Sequence, residues 1–339
     1  MDGGLALPTN ILGLVYVVAS YQPCENGKAN IAVISTQNNN NIIIFANKNA
    51  VIYHREILYD GKSSQIYITQ VLQKLDALYI SASSDLSGTV VIASKPVTVI
   101  SGVSCAPMPF GWYSSLEATL LPVSLWGNEY ILATVGNMDK SQGDHFRIFA
   151  FENNTVVKST HWTKVLSTGM YTELVLGTNL TSFIRCSKPC QVVQYIIGDK
   201  IYRKYVEPSM IVVPAVSQFL SYYHVSLPHG SEFHDAITVV IDGEYINGLY
   251  MNGLKLNSLR WERVRGTKYV WTVISLSDPT EVTVYHASSL VKFGLIVLGW
   301  NNVDSFAYAG GFDLQKKTDD GISALLSSMS YNKSRLRGM

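Results

Sequence analysis

Apolar residues along this chain fall mostly at alternate positions, in runs of about four to eight residues separated by breaks rich in Asn, Gly and Ser. That period belongs to half-buried strands, whose successive side chains point to opposite faces. In ANIAVISTQNNNNIIIFAN an alternating strand enters an Asn-rich turn, and a second strand, Ile42 to Phe45, leaves it. DHFRIFAFENNTVVKST repeats the order, with Phe146 to Phe151 turning at Asn153 and Asn154 into Val156 and Val157. HDAITVVIDGEYINGLYMNG runs Ala236 to Ile241 into Asp242-Gly243 and then a further Asn252-Gly253 turn. Helix is scarce. SQIYITQVLQKLDALYI fits either a short helix at 68–76 or a strand followed by a loop.

The tripeptide Ser94-Lys95-Pro96 follows the first of these hairpins, and Ser187-Lys188-Pro189 follows the second. In the third copy YHASSLVKFGLIVLGW stands at the equivalent place without a proline. Upstream, Tyr16-Val17-Val18-Ala19 matches Tyr130-Ile131-Leu132-Ala133 and, more loosely, Tyr222-Tyr223-His224-Val225. The same strand order three times over predicts an all-β fold of three consecutive β-sandwich-like repeats, at about 14–107, 128–200 and 214–300. Units of roughly 75 to 95 residues exceed solenoid repeats, so each is expected to hold its own core. The connector from Pro107 to Trp126 carries Trp112, Leu120 and Leu121, which predicts units packed into one rigid body. Residues 1–315 form that region, and from Lys316 the strand pattern gives way to a separate tail, 316–339.

Composition narrows the partners. Apolar residues make up 47% of the 339 residues, enough for a sizeable core, whereas charged residues are only 15% and the net charge is +1. Neither nucleic acid nor an anionic membrane is implied as a partner. No run of about 18 uncharged apolar residues is present, so no membrane insertion is expected. Ile11 to Ala19 lacks a basic segment ahead of it and is read as a first core strand rather than a signal peptide. Asn153, Asn179 and Asn332 each begin an Asn-x-Ser/Thr sequon, open to glycosylation on a secretory route.

No catalytic or cofactor constellation emerges. The seven histidines are scattered, and His229-x4-His234-Asp235 is read as a polar turn ahead of a strand rather than a metal site. Ser104-Cys105 lacks the nucleophile elbow, and Gly310-Gly311 lacks the helix a phosphate cradle needs. Cys186 and Cys190 flank a Ser-Lys-Pro turn without a second pair to complete a zinc site, which predicts a small disulfide. Among the aromatic residues Trp112, Tyr113, Tyr222, Tyr223, Trp261 and Trp300 are candidates for stacking on sugars or anchoring a partner.

Three longer stretches carry a family resemblance. DLSGTVVIASKPVTVISGVSCAPMP with the following Leu120 to Gly127 resembles the N-terminal domain of the IgG Fc-binding protein family. PSMIVVPAVSQFLSYY is similar to that family's second connector, with Pro214 and Gln218-Phe219 in order. FGLIVLGWNNVDSFAYAGGFDL is similar to its closing stretch, with Asp304, Ser305, Tyr308 and Gly311 in place. The resemblance spans about 14–314. It implies an extracellular, secreted or cell-surface, non-enzymatic binding or adhesion module within a larger protein, engaging proteins or glycoproteins of mucin-like, matrix or immune type. A structural spacer or assembly module of a mucus or matrix protein is the alternative. It does not imply immunoglobulin as the ligand. Where the family usually has a second cysteine after the counterpart of Cys105, this chain has Tyr113-Ser114-Ser115, leaving Cys105 either paired with Cys24 or free.

Overall fold

The computed structural model describes residues 5–315 except 47–50, 55–56, 61–66, 109–112, 135–142, 198–199, 202–203, 206, 228–232, 258, 278–279 and 302–303. Strand is the dominant element of the described residues, in three groups that we call units. The first holds β1 (Gly13–Val17), β2 (Ala29–Ser35), β3 (Asn40–Phe45), β4 (Val51–His54), β5 (Ile57–Asp60), β6 (Tyr67–Leu72), β7 (Ala77–Ala82), β8 (Val90–Pro107) and β9 (Tyr113–Thr119). The second holds β10 (Gly127–Ala133), β11 (Asp144–Ala150), β12 (Thr155–Lys158), β13 (Thr163–Leu166), β14 (Tyr171–Leu176), β15 (Thr181–Ile196), β16 (Lys200–Ile201), β17 (Lys204–Tyr205) and β18 (Ser209–Val212). The third holds β19 (Tyr222–Ser226), β20 (His234–Asp242), β21 (Leu249–Met251), β22 (Leu254–Lys255), β23 (Glu262–Arg263), β24 (Tyr269–Leu276), β25 (Glu281–His286), β26 (Gly294–Trp300) and β27 (Ser305–Ala309).

Pairing is antiparallel throughout these units, and one scheme recurs. The opening strand and the hairpin strand after the Asn-rich turn flank the first half of a long strand: β1 and β3 on β8, β10 and β12 on β15. Its second half pairs instead with the strand before that turn and with the closing strand: β2 and β9 on β8, β11 and β18 on β15. In the third unit the long strand is divided. β25 carries β19 and β21 in a four-stranded sheet, and β26 carries β20 and β27 in a five-stranded one. The long strand of the first two units thus exchanges one pair of partners for another part-way along its length, within a single sheet.

Both Ser-Lys-Pro tripeptides lie at that exchange. Ser94 Oγ accepts from the Asn41 backbone N–H and Ser187 Oγ from that of Val156, each at 2.9 Å. Lys95 Nζ donates to the Asn38 carbonyl and Lys188 Nζ to that of Asn153. The prolines donate nothing to the ladder, which suits a point where the strand changes partners. The turns they clasp are equivalent as well: Asn39 and Asn154 sit at φ 55° and 58°, a left-handed geometry that Asn tolerates better than most residues.

A buried tyrosine pins the opening of each unit to this part of the chain. Tyr16 accepts from the Gly13 N–H at 3.1 Å and donates to the Val97 carbonyl at 2.6 Å. Tyr130 accepts from Gly127 at 3.3 Å and donates to the Cys190 carbonyl. Tyr223 accepts from Leu220 at 3.0 Å and donates to the Phe293 carbonyl at 2.5 Å. Burial pushes all three phenols well above their ordinary range, so they remain neutral hydrogen-bonding groups. Tyr223 therefore matches Tyr16 and Tyr130, one residue later than the sequence match beginning at Tyr222. In a strand that single step moves every side chain to the other face.

Between units the chain is buried. Leu120, Leu121, Leu125 and Trp126 join the first core, and the Trp126 indole donates to the Leu121 carbonyl at 3.1 Å. Gln218, 4% exposed, bridges the second connector to the first by donating to the Leu125 carbonyl at 2.7 Å. Residues 67–72, one of the two readings of 68–76, are a strand rather than helix because Tyr67 to Leu72 pair with β3 along their whole length. The tail at 316–339 lies outside the described residues.

Candidate binding surface

One face of each unit is formed by its opening strand, the first half of its long strand and the hairpin strand beside it. Across those three strands run rows of neighbours: Val15, Ile92 and Ile43 in the first unit, Glu129, Arg185 and Lys158 in the second, and Tyr222, Tyr285 and Tyr250 in the third. The next row begins with Val17 and Val90, with Ile131 and Phe183, and with His224 and Thr283. In the first unit Val15, Val17, Val90 and Ile92 are all buried in a core shared with Phe149, Val193 and Tyr195 of the second. Ile131 and Ala133 pack on Phe219, Val240, Val264 and Trp271 of the third, whereas Glu129 is half-buried and Arg185 and Lys158 are exposed. On the third unit the face lies open. Tyr222 is 56% exposed, and His224, Ser226 and Glu281 are exposed beside it.

The three tyrosines form a ladder. Tyr250 and Tyr285 stack with ring centroids 5.3 Å apart and planes 7° apart, and Tyr222 and Tyr285 at 6.3 Å and 28°. Cross-strand aromatic pairs of this kind add about 0.5–1.5 kcal/mol beyond area burial. With Tyr222 exposed and Tyr250 and Tyr285 half-buried, the stack is an amphipathic ridge that gains contact area with few rotatable bonds to freeze. His224 Nδ1 lies 3.0 Å from Thr283 Oγ1 and its Nε2 3.6 Å from Glu281, so polar groups border the ridge.

A second concentration of chemistry lies at the junction of the first two units. Arg147 donates to Asp85 at 2.7 Å, to Glu173 at 2.9 Å and to the Ser20 carbonyl at 2.9 Å, with Tyr21 and Tyr171 against its guanidinium at 4.3 and 4.6 Å. His145 lies 3.3 Å from Glu173. Its hydrogen bond, ahead of that from Arg147, holds the Glu173 carboxyl at about 2 against the opposing effect of burial. Arg147 is 6% exposed and joins Asp85 of the first unit to Glu173 of the second, so the cluster is a clamp between units rather than an open site.

The residues expected from the sequence are dispersed. Cys186 and Cys190 are bonded, with Cα atoms 6.3 Å apart, and Cys24 is bonded to Cys105 with Cα atoms 5.5 Å apart. Asn153 and Asn179 are exposed in turns, whereas Asn332 lies outside the described residues. Tyr223 is core, Trp261 and Trp300 are half-buried, Trp112 lies outside the described residues, and Tyr222 alone of the candidates with a described side chain is well exposed. His229 is also outside them, while His234 rests against Trp300 with ring centroids 5.8 Å apart. Among the described residues no three His, Cys, Asp or Glu side chains gather around one point. Tyr250 and Tyr285 were not among the candidates. Their signal was only tyrosine at outward positions of two short strands.

The family model described as "IgGFc binding protein" matches residues 2–299. The chain belongs to the IgGFc-binding protein family. The resemblance read from the motifs therefore holds over nearly the whole chain. A curated relative, the IgGFc-binding protein of Homo sapiens, is 26% identical over 245 residues, which is 70% of this chain and 4% of that protein. This chain thus spans a small fraction of that relative's length. Likeness to solved structures is slight: a GH78 rhamnosidase of Bacillus sp. GL1 aligns over 91% of this chain and 37% of its own at 7% identity with a TM-score of 0.16. An I-band fragment of titin aligns over 88% of this chain and 98% of its own at 8% identity with a TM-score of 0.12. Neither carries an argument. No helix among the described residues is long and apolar enough to cross a membrane.

Proposed function

We propose that residues 1–315 are an extracellular, non-catalytic module that binds a protein or glycoprotein through the open face of its third unit. The units run at about 14–107, 128–200 and 214–300, and the tail at 316–339 is separate. The observation carrying this is that a face buried against the next unit in the first copy, and at Ile131 and Ala133 in the second, is uncovered in the third, where Tyr222 is exposed on a ladder with Tyr285 and Tyr250. Family membership and two disulfides support an extracellular setting, where such bonds persist. The human relative's name refers to binding of IgG Fc, which supports a protein partner as the class. Tyrosine-rich surfaces with polar borders suit partners of that kind.

Passing the purified chain over immobilised mucin, matrix glycoprotein and immunoglobulin tests the reading. We expect retention on at least one, weakened about tenfold or more by Tyr222→Asp, a change of at least ~1.4 kcal/mol. A chain that none of the three retains is a spacer, and the binding reading falls.

A further inference from the structure

The internal junctions show how one unit docks on the next, and the same two faces are open at opposite ends of the array. The covering face is formed by the strand before the Asn-rich turn and its two neighbours. In the second unit Phe149 stands between Tyr171 and Gln191, and in the third Val240 stands between Trp271 and Gly294. In the first unit Ile34 holds that place between Ala77 and Thr98, and the next row is Ala32 between Tyr79 and Ile100. Where this face covers a neighbour, Phe149 and Trp271 are 0% and 4% exposed. On the first unit Ala77 is exposed and Tyr79 is 57% exposed.

Apolar side chains carry the internal contact and are present on both open faces. At the first junction the covered face is small and aliphatic, Val17, Ala19 and Val90, and the covering face is large, Phe149, Tyr171 and Tyr195. At the open ends each face carries a well-exposed tyrosine: Tyr222, 56% exposed, stands beside His224 and Tyr285 on the third unit, and Tyr79, 57% exposed, stands with Ala32, Ile34, Ala77, Thr98 and Ile100 on the first. Exposed aromatic and apolar side chains on both surfaces are what the core of a contact between them requires.

We infer that the tyrosine face of the third unit is a docking site for the first unit of a second copy of this chain, stacked as the units already stack within it. This rests on reading that face as a docking surface and names its partner. Such a contact is heterologous, so it propagates into open chains instead of closing as a symmetric dimer. The polar rim of His224, Ser226 and Glu281 makes it wetter and weaker than the internal junctions.

Sedimentation of the purified chain over a wide concentration range provides the test. We expect the average mass to rise past that of a dimer. Tyr222→Asp and Ala77→Arg, both at exposed positions, should each weaken self-association about tenfold or more while leaving the melting temperature in place. An equimolar mixture of the two should form a one-to-one pair and stop there, because each variant keeps the face the other has lost. A monomer at every concentration, assembly that stops at a symmetric dimer, or a mixture that stays monomeric overturns the inference. Glycoprotein retention by a chain that never self-associates would defeat the self-stacking and leave the binding function standing. Self-association without retention of any glycoprotein would do the reverse.

Discussion

Gly88 and Gly169 meet backbone to backbone across the junction of the first two units. A Cβ on Gly88 would fall 2.1 Å from the Gly169 carbonyl oxygen, and one on Gly169 would fall 2.7 Å from the Gly88 carbonyl oxygen. Gly88 also sits at φ 86°, which favours glycine. No flexible side chain can yield there, so Gly88→Ala should destabilise by about 2–4 kcal/mol through strain and overpacking. Gly253→Ala is the control: φ is 80° but nothing lies within 4 Å, so about 1 kcal/mol is expected. Denaturant midpoints compare the two, and equal losses would mean that the junction is not tightly packed.

Arg147 ties Asp85 of the first unit to Glu173 of the second. Replacing it with alanine takes the guanidinium from both carboxylates and leaves Glu173 only His145, and a loss of about 3–5 kcal/mol is expected in chemical denaturation. A loss under about 1 kcal/mol would place the clamp with ordinary surface ion pairs.

The Glu173 carboxyl is depressed to about 2 from an ordinary value of 4.5. A group depressed by folding adds stability that is fully present above its unfolded value and is lost as pH falls through its folded one. Between about pH 5 and pH 2 the melting temperature should therefore fall, and Glu173→Gln should flatten that slope. Its side chain is 33% exposed, so solvent screening keeps the effect modest. Identical slopes in the two proteins would show that Glu173 does not titrate as the geometry requires.

The disulfides close loops of very different size, 81 residues apart for Cys24 and Cys105 and 4 apart for Cys186 and Cys190. Chain-entropy reasoning gives a loss of about 4.5 kcal/mol when the first is removed and about 2 when the second is. Paired serine variants test the order by thermal melting. Peptide mapping without reduction should recover both bridges, and free thiols at any of the four positions would refute the pairing.

Asn153 and Asn179 stand in exposed turns, so a chain produced through a secretory route should carry glycans at both. Mass spectrometry after endoglycosidase release checks occupancy, with Asn→Gln at each position as reference. The Thr155 hydroxyl is buried and donates to the Glu152 carbonyl at 2.7 Å, so Asn153 should be modified before that turn folds or not at all.

Much of the fold was legible because it is written locally. Alternation marks each strand, Asn39 and Asn154 mark the turns, and the two Ser-Lys-Pro tripeptides mark one exchange of partners seen twice. The candidate surface was harder to read, because Tyr222 and Tyr223 are adjacent and either could be matched to Tyr16. The hydrogen bonds of Tyr223 to Leu220 and Phe293 and the pairing of β19 with β25 fix the register and send Tyr222 outward. The Arg147 clamp left no trace in the sequence, since Ser20, Asp85 and Glu173 reach it from separate strands and loops and no spacing links them. The partner of Cys105 was open for the same reason.

The long strand that exchanges partners, divided in the third unit, comes late in each unit, and this sets a schedule for synthesis. A nascent first unit can form the β2–β7 and β3–β6 pairings early, but its opening strand has no place to go until the ribosome has released β8. Tyr16 waits for Val97 across 81 residues, Tyr130 for Cys190 across 60 and Tyr223 for Phe293 across 70. The amino-terminal end, with Cys24 still lacking its partner, is thus exposed longest during translation, and it is there that a chaperone or an oxidoreductase has the most time to act.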